Sequence, residues 1–80
     1  MKSITIQYFA QLRDWSGKDS EMVSFAGKTY RELYHELSSR YSFKLPIEVV
    51  QIAINDEFGT FDQAVHDHDR IVFIPPVAGG

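Results

Sequence analysis

Apolar and polar residues alternate along the first ten residues, which is the pattern of a β-strand that buries one face. In the segment Ser3–Ala10 the side chains of Ile4, Ile6 and Tyr8 share one face and are expected in the core. Phe9 falls on the opposite and otherwise polar face. The pattern therefore predicts a first strand with one buried side and an aromatic residue on its other side.

A helix is predicted from residue 29 onward, because its start and its buried side both have clear signals. The segment Thr29-Tyr30-Arg31-Glu32 has the form of a capping box. In such a box the Thr29 hydroxyl accepts the Glu32 N–H, and the Glu32 carboxylate reaches back to the Thr29 N–H. The apolar residues that recur at helical spacing are Tyr30, Leu33, Tyr34, Leu37 and Tyr41. We expect the helix to end near Tyr41, since an aperiodic segment and Pro46 follow.

The rest of the pattern predicts strands separated by turns. Further strands are predicted at Glu21–Phe25, Val49–Ile54, Phe58–Phe61 (a short edge strand) and Arg70–Pro75. The polar segment 11–20, which contains Gly17, is expected to be an irregular connection, and residues 62–65 are a candidate helical turn. This order predicts an α+β fold of the β-grasp (ubiquitin-like) type. A mixed sheet of four to five strands carries one main helix on one face, and its other face meets water or a partner.

Composition narrows the class of protein. Eighty residues, 44% of them hydrophobic, suffice for one small domain, and the absence of cysteine excludes disulfides and cysteine nucleophiles. The formal charge of −3, with scattered Lys and Arg residues, argues against nucleic-acid binding. No segment has the apolar run of a signal peptide or a transmembrane helix. We therefore expect a cytoplasmic protein without membrane contact.

The polar residues show no catalytic or metal-binding pattern. His66 and His68, with the aspartates beside them, are candidate metal ligands, but no third ligand follows at a recognisable spacing. A solvated turn is the better interpretation of this segment. No Ser-His-Asp order, paired-carboxylate signature or phosphate-binding glycine loop is present. We expect a chain that binds no metal or cofactor and is not an enzyme by itself.

The C-terminal segment carries the strongest functional signal. Pro75 and Pro76 stop the last strand and favour an extended backbone, so the domain is expected to span residues 1–75 and a tail, residues 76–80, to project from it. The tail ends in Val77-Ala78-Gly79-Gly80, whose small side chains suit a narrow channel in another enzyme. A terminal carboxylate is ionised at neutral pH and becomes electrophilic only with a leaving group, most simply as an acyl-adenylate. Since the chain has no nucleotide-binding loop, a partner must supply this activation.

Three segments resemble the MoaD family, the sulfur-carrying small subunits of molybdopterin synthase. Phe73-Ile74-Pro75-Pro76-Val77-Ala78-Gly79-Gly80 is similar to that family's C-terminus. Tyr8-Phe9-Ala10-Gln11-Leu12-Arg13 resembles its first-strand signature, and Asp67-His68-Asp69 resembles its Asp-Gly-Asp before the last strand. The resemblance covers essentially the whole chain. His68 stands where the family pattern has glycine, so a left-handed backbone at His68 would be strained.

The resemblance implies a sulfur carrier for molybdenum cofactor biosynthesis. A ubiquitin-activating-type enzyme (MoeB-like) would consume ATP to adenylate Gly80, which follows Gly79, and a sulfur donor would convert it to a thiocarboxylate. The tail would then enter the large synthase subunit (MoaE-like), which holds the acid–base residues, and pass its sulfur to a precursor pterin. The family implies a heterotetramer of two small and two large subunits.

The resemblance also implies a hydrophobic face that contacts these partners. The residues expected in this contact are Phe9, Phe58, Ile74, Pro75, Pro76, Val77 and Ala78. Other functions stay open: a sulfur carrier for the thiamine thiazole (the ThiS family), a ubiquitin-like modifier, or a β-grasp adaptor with an idle tail. The chain length and the two prolines before the tail favour the MoaD family.

Overall fold

The computed structural model describes residues 1–76, and within them it contains five β-strands and two α-helices. The elements are, in chain order, β1 (Lys2–Gln7), α1 (Ala10–Ser16), β2 (Ser20–Phe25), α2 (Tyr30–Tyr41), a 3₁₀ helix (Ile47–Val49), β3 (Gln51–Ile54), β4 (Glu57–Gly59) and β5 (Arg70–Ile74). The predicted α+β class and β-grasp architecture are confirmed. None of the helices in the described residues has both the length and the apolar character needed to cross a membrane.

The sheet has the strand order β2-β1-β5-β3-β4. The predicted hairpin of β1 and β2 is present, with Ile4 opposite Val23. β5 lies between β1 and β3, parallel to β1 with Ile71 beside Ile6, and antiparallel to β3. The last strand of the described residues is therefore the central one, and Pro75 follows it in the middle of the sheet.

α2 begins and packs largely as the sequence predicts. The Thr29 hydroxyl accepts the Glu32 N–H at 3.3 Å, whereas the Glu32 carboxylate reaches the N–H of Lys28 (3.3 Å) rather than that of Thr29. The helix ends at Tyr41, as predicted, and its C-cap Ser42 takes the left-handed conformation (φ 58°). Its buried residues are Tyr30, Leu33, Tyr34 and Leu37, with Tyr41 half-buried at the margin of the core.

One face of the sheet and α2 enclose a single core. The predicted core residues of the first strand, Ile4, Ile6 and Tyr8, are buried. The other buried residues in or next to the strands are Val23, Phe25, Val50, Ile52, Ile71 and Phe73. Aromatic rings make up its centre, since Tyr34 lies edge-to-face against Phe73 with ring centroids 5.3 Å apart. Burial raises the pKa of Tyr34 to about 12, and its hydroxyl donates to the Leu45 carbonyl at 2.7 Å.

The irregular connection predicted at residues 11–20 is wrong, because most of it forms α1. Leu12 is buried in the core, and the half-buried Trp15 packs against Phe43 with ring centroids 6.2 Å apart. Gly17 ends the helix in the left-handed conformation (φ 76°). A helix of seven residues is marginal by itself, so tertiary packing rather than local propensity decides that it forms.

Several predicted boundaries also shift. β1 ends at Gln7 rather than Ala10, and residue 49 belongs to the 3₁₀ helix instead of β3. Asn55 and Asp56 both have positive φ (51° and 73°), as in a type I′ hairpin turn, so β4 starts at once at Glu57. β4 consequently spans 57–59 instead of 58–61, and residues 62–65 form a turn and an isolated bridge instead of a helical turn.

His68 has the left-handed backbone (φ 70°) that the glycine of the family pattern suggests. Its exposed ring contacts the Asp67 carboxylate at 3.3 Å. We expect His68→Gly to raise the free energy of unfolding by about 0.5–1 kcal/mol, because relief of backbone strain outweighs the added freedom of the unfolded chain. Urea titration measures this change. Ser39→Gly on the exposed side of α2 is the control and should lower stability by about 0.5 kcal/mol. A loss of stability in both variants would contradict the strain at His68.

Candidate functional site at the end of the central strand

The candidate site is the region where the chain leaves β5. β5 ends at Ile74, and the structure describes the chain as far as Pro76, which is exposed, while Pro75 is half-buried. The predicted site residues Val77, Ala78, Gly79 and Gly80 lie outside the described residues, so their roles stay predictions.

The sheet face opposite α2 carries a row of residues in register across four strands, and three of the four residues are apolar. Gln7 of β1 pairs with Val72 of β5, Val72 with Ala53 of β3, and Ala53 with Phe58 of β4. Residues opposite one another in neighbouring strands share a face, so these four side chains form one row. Val72 and Ala53 are half-buried, whereas Phe58 is 75% exposed.

A second row lies nearer to the tail. Ile74 pairs with Gln51, and continuing the parallel register of β1 and β5 by two residues places Phe9 beside Ile74. Phe9 is 44% exposed, and Ile74 is half-buried. We call the apolar residues of the two rows the tail-side patch, which consists of Phe9, Ala53, Phe58, Val72 and Ile74. Phe58 and Ile74 thus lie on the same face of the sheet, and the extended register adds Phe9 to that face; the parts of all three in partner binding stay predictions.

A sharp change of backbone direction positions Phe9. Phe9 is extended (φ −128°) and caps α1, where its carbonyl accepts the N–H of Leu12 at 3.0 Å. Ala10 follows with a positive φ of 50°, a conformation that costs a non-glycine residue free energy. The chain turns here from strand into helix, and the Phe9 ring is left partly exposed.

The outer sheet face carries little charge. Its strand residues outside the patch are otherwise uncharged, namely Ser3, Thr5, Gln7, Ser20, Met22, Ser24 and Gln51. Arg70 is the one charged strand residue on the described part of this face, and its guanidinium pairs with the Asp56 carboxylate. An uncharged surface with an apolar centre suits an apolar partner surface rather than a strongly charged one.

A buried carboxylate holds the start of β5. Asp69, only 5% exposed, accepts hydrogen bonds from the Tyr30 hydroxyl, the His66 N–H (2.8 Å) and the Asn55 side-chain amide (3.0 Å). Burial opposes ionisation of Asp69, but these hydrogen bonds outweigh it and lower the pKa of the carboxyl. Burial and the bond to Asp69 raise the pKa of Tyr30. Asp69 therefore ties α2 and the β3–β4 turn to the strand that leads to the tail.

The aspartates of the segment 66–69 hold the loop in place. The Asp67 carboxylate accepts the N–H of Ser3 at 2.6 Å. The Asp69 carboxylate accepts its three hydrogen bonds from Tyr30, Asn55 and His66. His66 and His68 are exposed. Across residues 1–76 no group of three or more His, Asp or Glu side chains is arranged to hold a metal ion. The hydrogen bonds of the two aspartates therefore fix the loop that precedes β5.

Comparison with known proteins decides the family. A family model described as the ThiS family matches residues 6–80, which is nearly the whole chain. This chain belongs to the ThiS family. Among the relatives of this ThiS-family chain is the molybdopterin synthase sulfur carrier subunit of Escherichia coli K12. It is 31% identical over 80 residues, covering 96% of this chain and 99% of that protein. The resemblance of the chain as a whole to MoaD-type carriers is thereby confirmed.

Solved structures of similar proteins have the same fold. A Pyrococcus furiosus protein, provisionally assigned as subunit 1 of a molybdopterin converting factor, has a TM-score of 0.82 and 28% identity. The match covers 96% of this ThiS-family chain and all of the other. A Helicobacter pylori complex of subunits 1 and 2 of the molybdopterin-converting factor contains a chain with a TM-score of 0.67 and 23% identity. That match covers 98% of this chain and 99% of the other, and it supports the fold alone.

Proposed function

We propose that this chain is the sulfur carrier subunit of a molybdopterin synthase. The observation that carries the proposal is the position of the tail-side patch beside the end of the central strand. From there the sequence continues through two prolines to Gly79-Gly80. Near full-length similarity to the Escherichia coli carrier favours this pathway over a thiamine thiazole carrier.

The proposed chemistry takes place at the carboxylate of Gly80. In an adenylating partner, this carboxylate attacks the α-phosphorus of ATP, pyrophosphate leaves, and an acyl-adenylate results. A sulfur donor at the sulfide level then displaces AMP and leaves a thiocarboxylate. When the sulfur passes to the precursor pterin in the large subunit, an oxygen from water restores the carboxylate. ATP is bound and consumed by the partner, and this chain contributes the acyl group.

The described residues contribute the docking surface. In this proposal the tail-side patch, with Pro75 and Pro76, contacts both the large subunit and the adenylating enzyme in turn. Val77 and Ala78 then lie in the channel that leads to each active site. The acid–base residues belong to the large subunit, so this chain is a non-catalytic subunit, and two copies join two large subunits. Because the patch is uncharged, these contacts should depend little on salt.

Intact mass spectrometry tests the carrier proposal. The chain is incubated with a MoeB-like adenylating enzyme, ATP and a sulfur donor, and its mass is measured over time. We expect a rise equal to the difference between one sulfur and one oxygen atom. A variant that ends at Gly79 is the control and should stay unmodified under the same conditions. A full-length chain that stays unmodified while a known MoaD-type carrier is converted would contradict the proposal.

A further inference from the structure

β2 forms one edge of the sheet, and its outer side is unpaired in the described residues. In the described residues it pairs with β1 alone, over six consecutive residue pairs without a bulge. Natural edge strands are usually protected by charged side chains (above all lysine), by inward-pointing charges, by proline or by a bulge. The sequence of β2, Ser-Glu-Met-Val-Ser-Phe, contains neither lysine nor proline, and its one charged residue, Glu21, points to the inner face, where its carboxylate is hydrogen-bonded within the chain. The edge is therefore open to pairing with a further strand.

The hydrogen bonds of the hairpin show which backbone groups face this edge. The N–H of Tyr8 donates to the carbonyl of Asp19 at 2.8 Å, so these two residues form a hydrogen-bonded antiparallel pair. Hydrogen-bonded and non-bonded pairs alternate along such a ladder. The backbone N–H and C=O groups that face the free edge are consequently those of Ser20, Met22 and Ser24. All three residues are exposed.

This edge is complementary to itself. If a second β2 runs antiparallel with Met22 opposite its own copy, Ser20 of each chain faces Ser24 of the other. In each of these three pairs the backbone N–H and C=O groups that face the free edge lie opposite those of the partner residue. Each pair can therefore exchange two hydrogen bonds. We propose that two copies of this chain pair through β2, with a two-fold axis at Met22, to form a weak homodimer. The two five-stranded sheets then join into one continuous sheet.

The side chains on the outer face support this arrangement. Met22 is 70% exposed, although it is a large apolar residue in the middle of a strand. At the two-fold axis the two methionines contact and cover one another. The flanking Ser20 and Ser24 are uncharged, so no like charges oppose each other on this face.

On the inner face the carboxylate of Glu21 would lie diagonally across from its own copy. Its charge is already engaged within each chain. The Tyr8 and Tyr41 hydroxyls donate to it at 2.6 and 2.7 Å, and the Lys18 ammonium lies 3.5 Å away. These contacts hold the Glu21 carboxylate against its own chain and offset its negative charge. The repulsion between the two Glu21 carboxylates across the two-fold axis is therefore limited.

The dimer is independent of the proposed function. The strand residues of the tail-side patch lie on β3, β4 and β5, and Phe9 follows the end of β1. The pairing groups of β2 face the free edge of the sheet, so pairing through β2 leaves the patch accessible. A single strand pair is small compared with stable dimer interfaces. We therefore expect association in the high micromolar to millimolar range.

Sedimentation equilibrium of the full chain, from micromolar to millimolar concentration, tests the proposal. The unmodified chain should dimerise, and Met22→Lys should weaken dimerisation by about tenfold or more, because two lysines then oppose each other at the axis. Phe58→Lys places the same charge in the tail-side patch and should leave dimerisation unchanged. Thermal unfolding of each variant checks that the monomer remains folded.

Amide hydrogen exchange by NMR locates the contact. The N–H groups of Ser20, Met22 and Ser24 should exchange rapidly in dilute protein and more slowly as the dimer forms. Two results would overturn the proposal. One is a chain that stays monomeric throughout the concentration range. The other is a dimer that Phe58→Lys disrupts, or in which these three amides gain no protection.

Discussion

Asp69→Ala is expected to lower the free energy of unfolding by about 3 kcal/mol. The carboxylate accepts from the buried Tyr30 hydroxyl, the Asn55 amide and the His66 N–H, and alanine leaves all three donors without this acceptor. Urea unfolding at neutral pH, followed by the fluorescence of the single tryptophan, measures the loss. Asp62→Ala is the control. Its exposed carboxylate pairs with Arg31 at 2.9 Å, and because solvent screens such a pair, its loss should change the free energy of unfolding far less than the loss of Asp69 does.

Acid titration distinguishes the contribution of the Asp69 charge to stability from the contribution of the side chain's size and shape. Hydrogen bonds to Asp69 lower its pKa in the folded state, so its ionisation stabilises the fold above the unfolded-state pKa of about 3.9. That contribution is lost as the pH falls through the lower folded-state pKa. Asp69→Asn lacks it at every pH. We expect the stability difference between the native chain and Asp69→Asn to shrink below about pH 4. A difference that stays constant from neutral to acid pH would show that the charge adds nothing.

Phe9→Lys is expected to weaken binding to the large synthase subunit by about 30-fold, or about 2 kcal/mol. This expectation rests on the proposed function. Phe9 belongs to the tail-side patch, and a lysine there would have to be desolvated against an apolar partner. Isothermal titration calorimetry with the large subunit measures the change. The thermal unfolding temperature should change little, since Phe9 is 44% exposed and is not part of the core.

Met22→Lys is the matched control for this prediction. It places the same charge on the same sheet face, but on β2, away from the tail-side patch. We expect its affinity for the large subunit to equal that of the native chain, measured at concentrations at which the chain is monomeric. Equal losses for the two variants would indicate a general charge effect, and no loss for Phe9→Lys would remove the patch from the interface.

The parts of the fold that sequence predicts best are those with a regular period. Alternation in β1 correctly separates Ile4 and Ile6 from the outer face, and the stripe from Tyr30 to Leu37 correctly gives the buried side of α2. Both patterns are local, because the period of a strand or a helix decides which neighbouring side chains share a face. Such elements can be predicted before any tertiary contact is known.

The parts that sequence did not predict depend on distant contacts. α1 forms because Trp15 packs against Phe43, which lies 28 residues further along the chain. The sequence pattern makes Asp69 a candidate metal ligand and does not reveal its partner Tyr30, which lies 39 residues away and is connected to it by no spacing rule. The local signal that was available for α1 is Leu12 and Trp15 three residues apart, followed by Gly17.

The candidate site likewise has one part that the sequence predicts and one part that only the structure reveals. The two prolines and Gly79-Gly80 indicate the chemistry from sequence alone. The position of Phe58 beside Ala53 and Val72 depends on sheet register, which the type I′ turn at Asn55 sets and which the predicted β4 missed. The tail-side patch as a connected surface is therefore a result of the structure.

The most direct test of the sulfur-carrier proposal follows the sulfur atom out of the chain. Protein prepared with a thiocarboxylate at Gly80 is mixed with a molybdopterin synthase large subunit and precursor pterin, and protein mass and pterin product are measured together. We predict that the protein returns to its carboxylate mass as the dithiolene product forms, and that protein with an ordinary carboxylate gives no product. A thiocarboxylate that persists under conditions in which the Escherichia coli carrier is consumed would contradict the proposal.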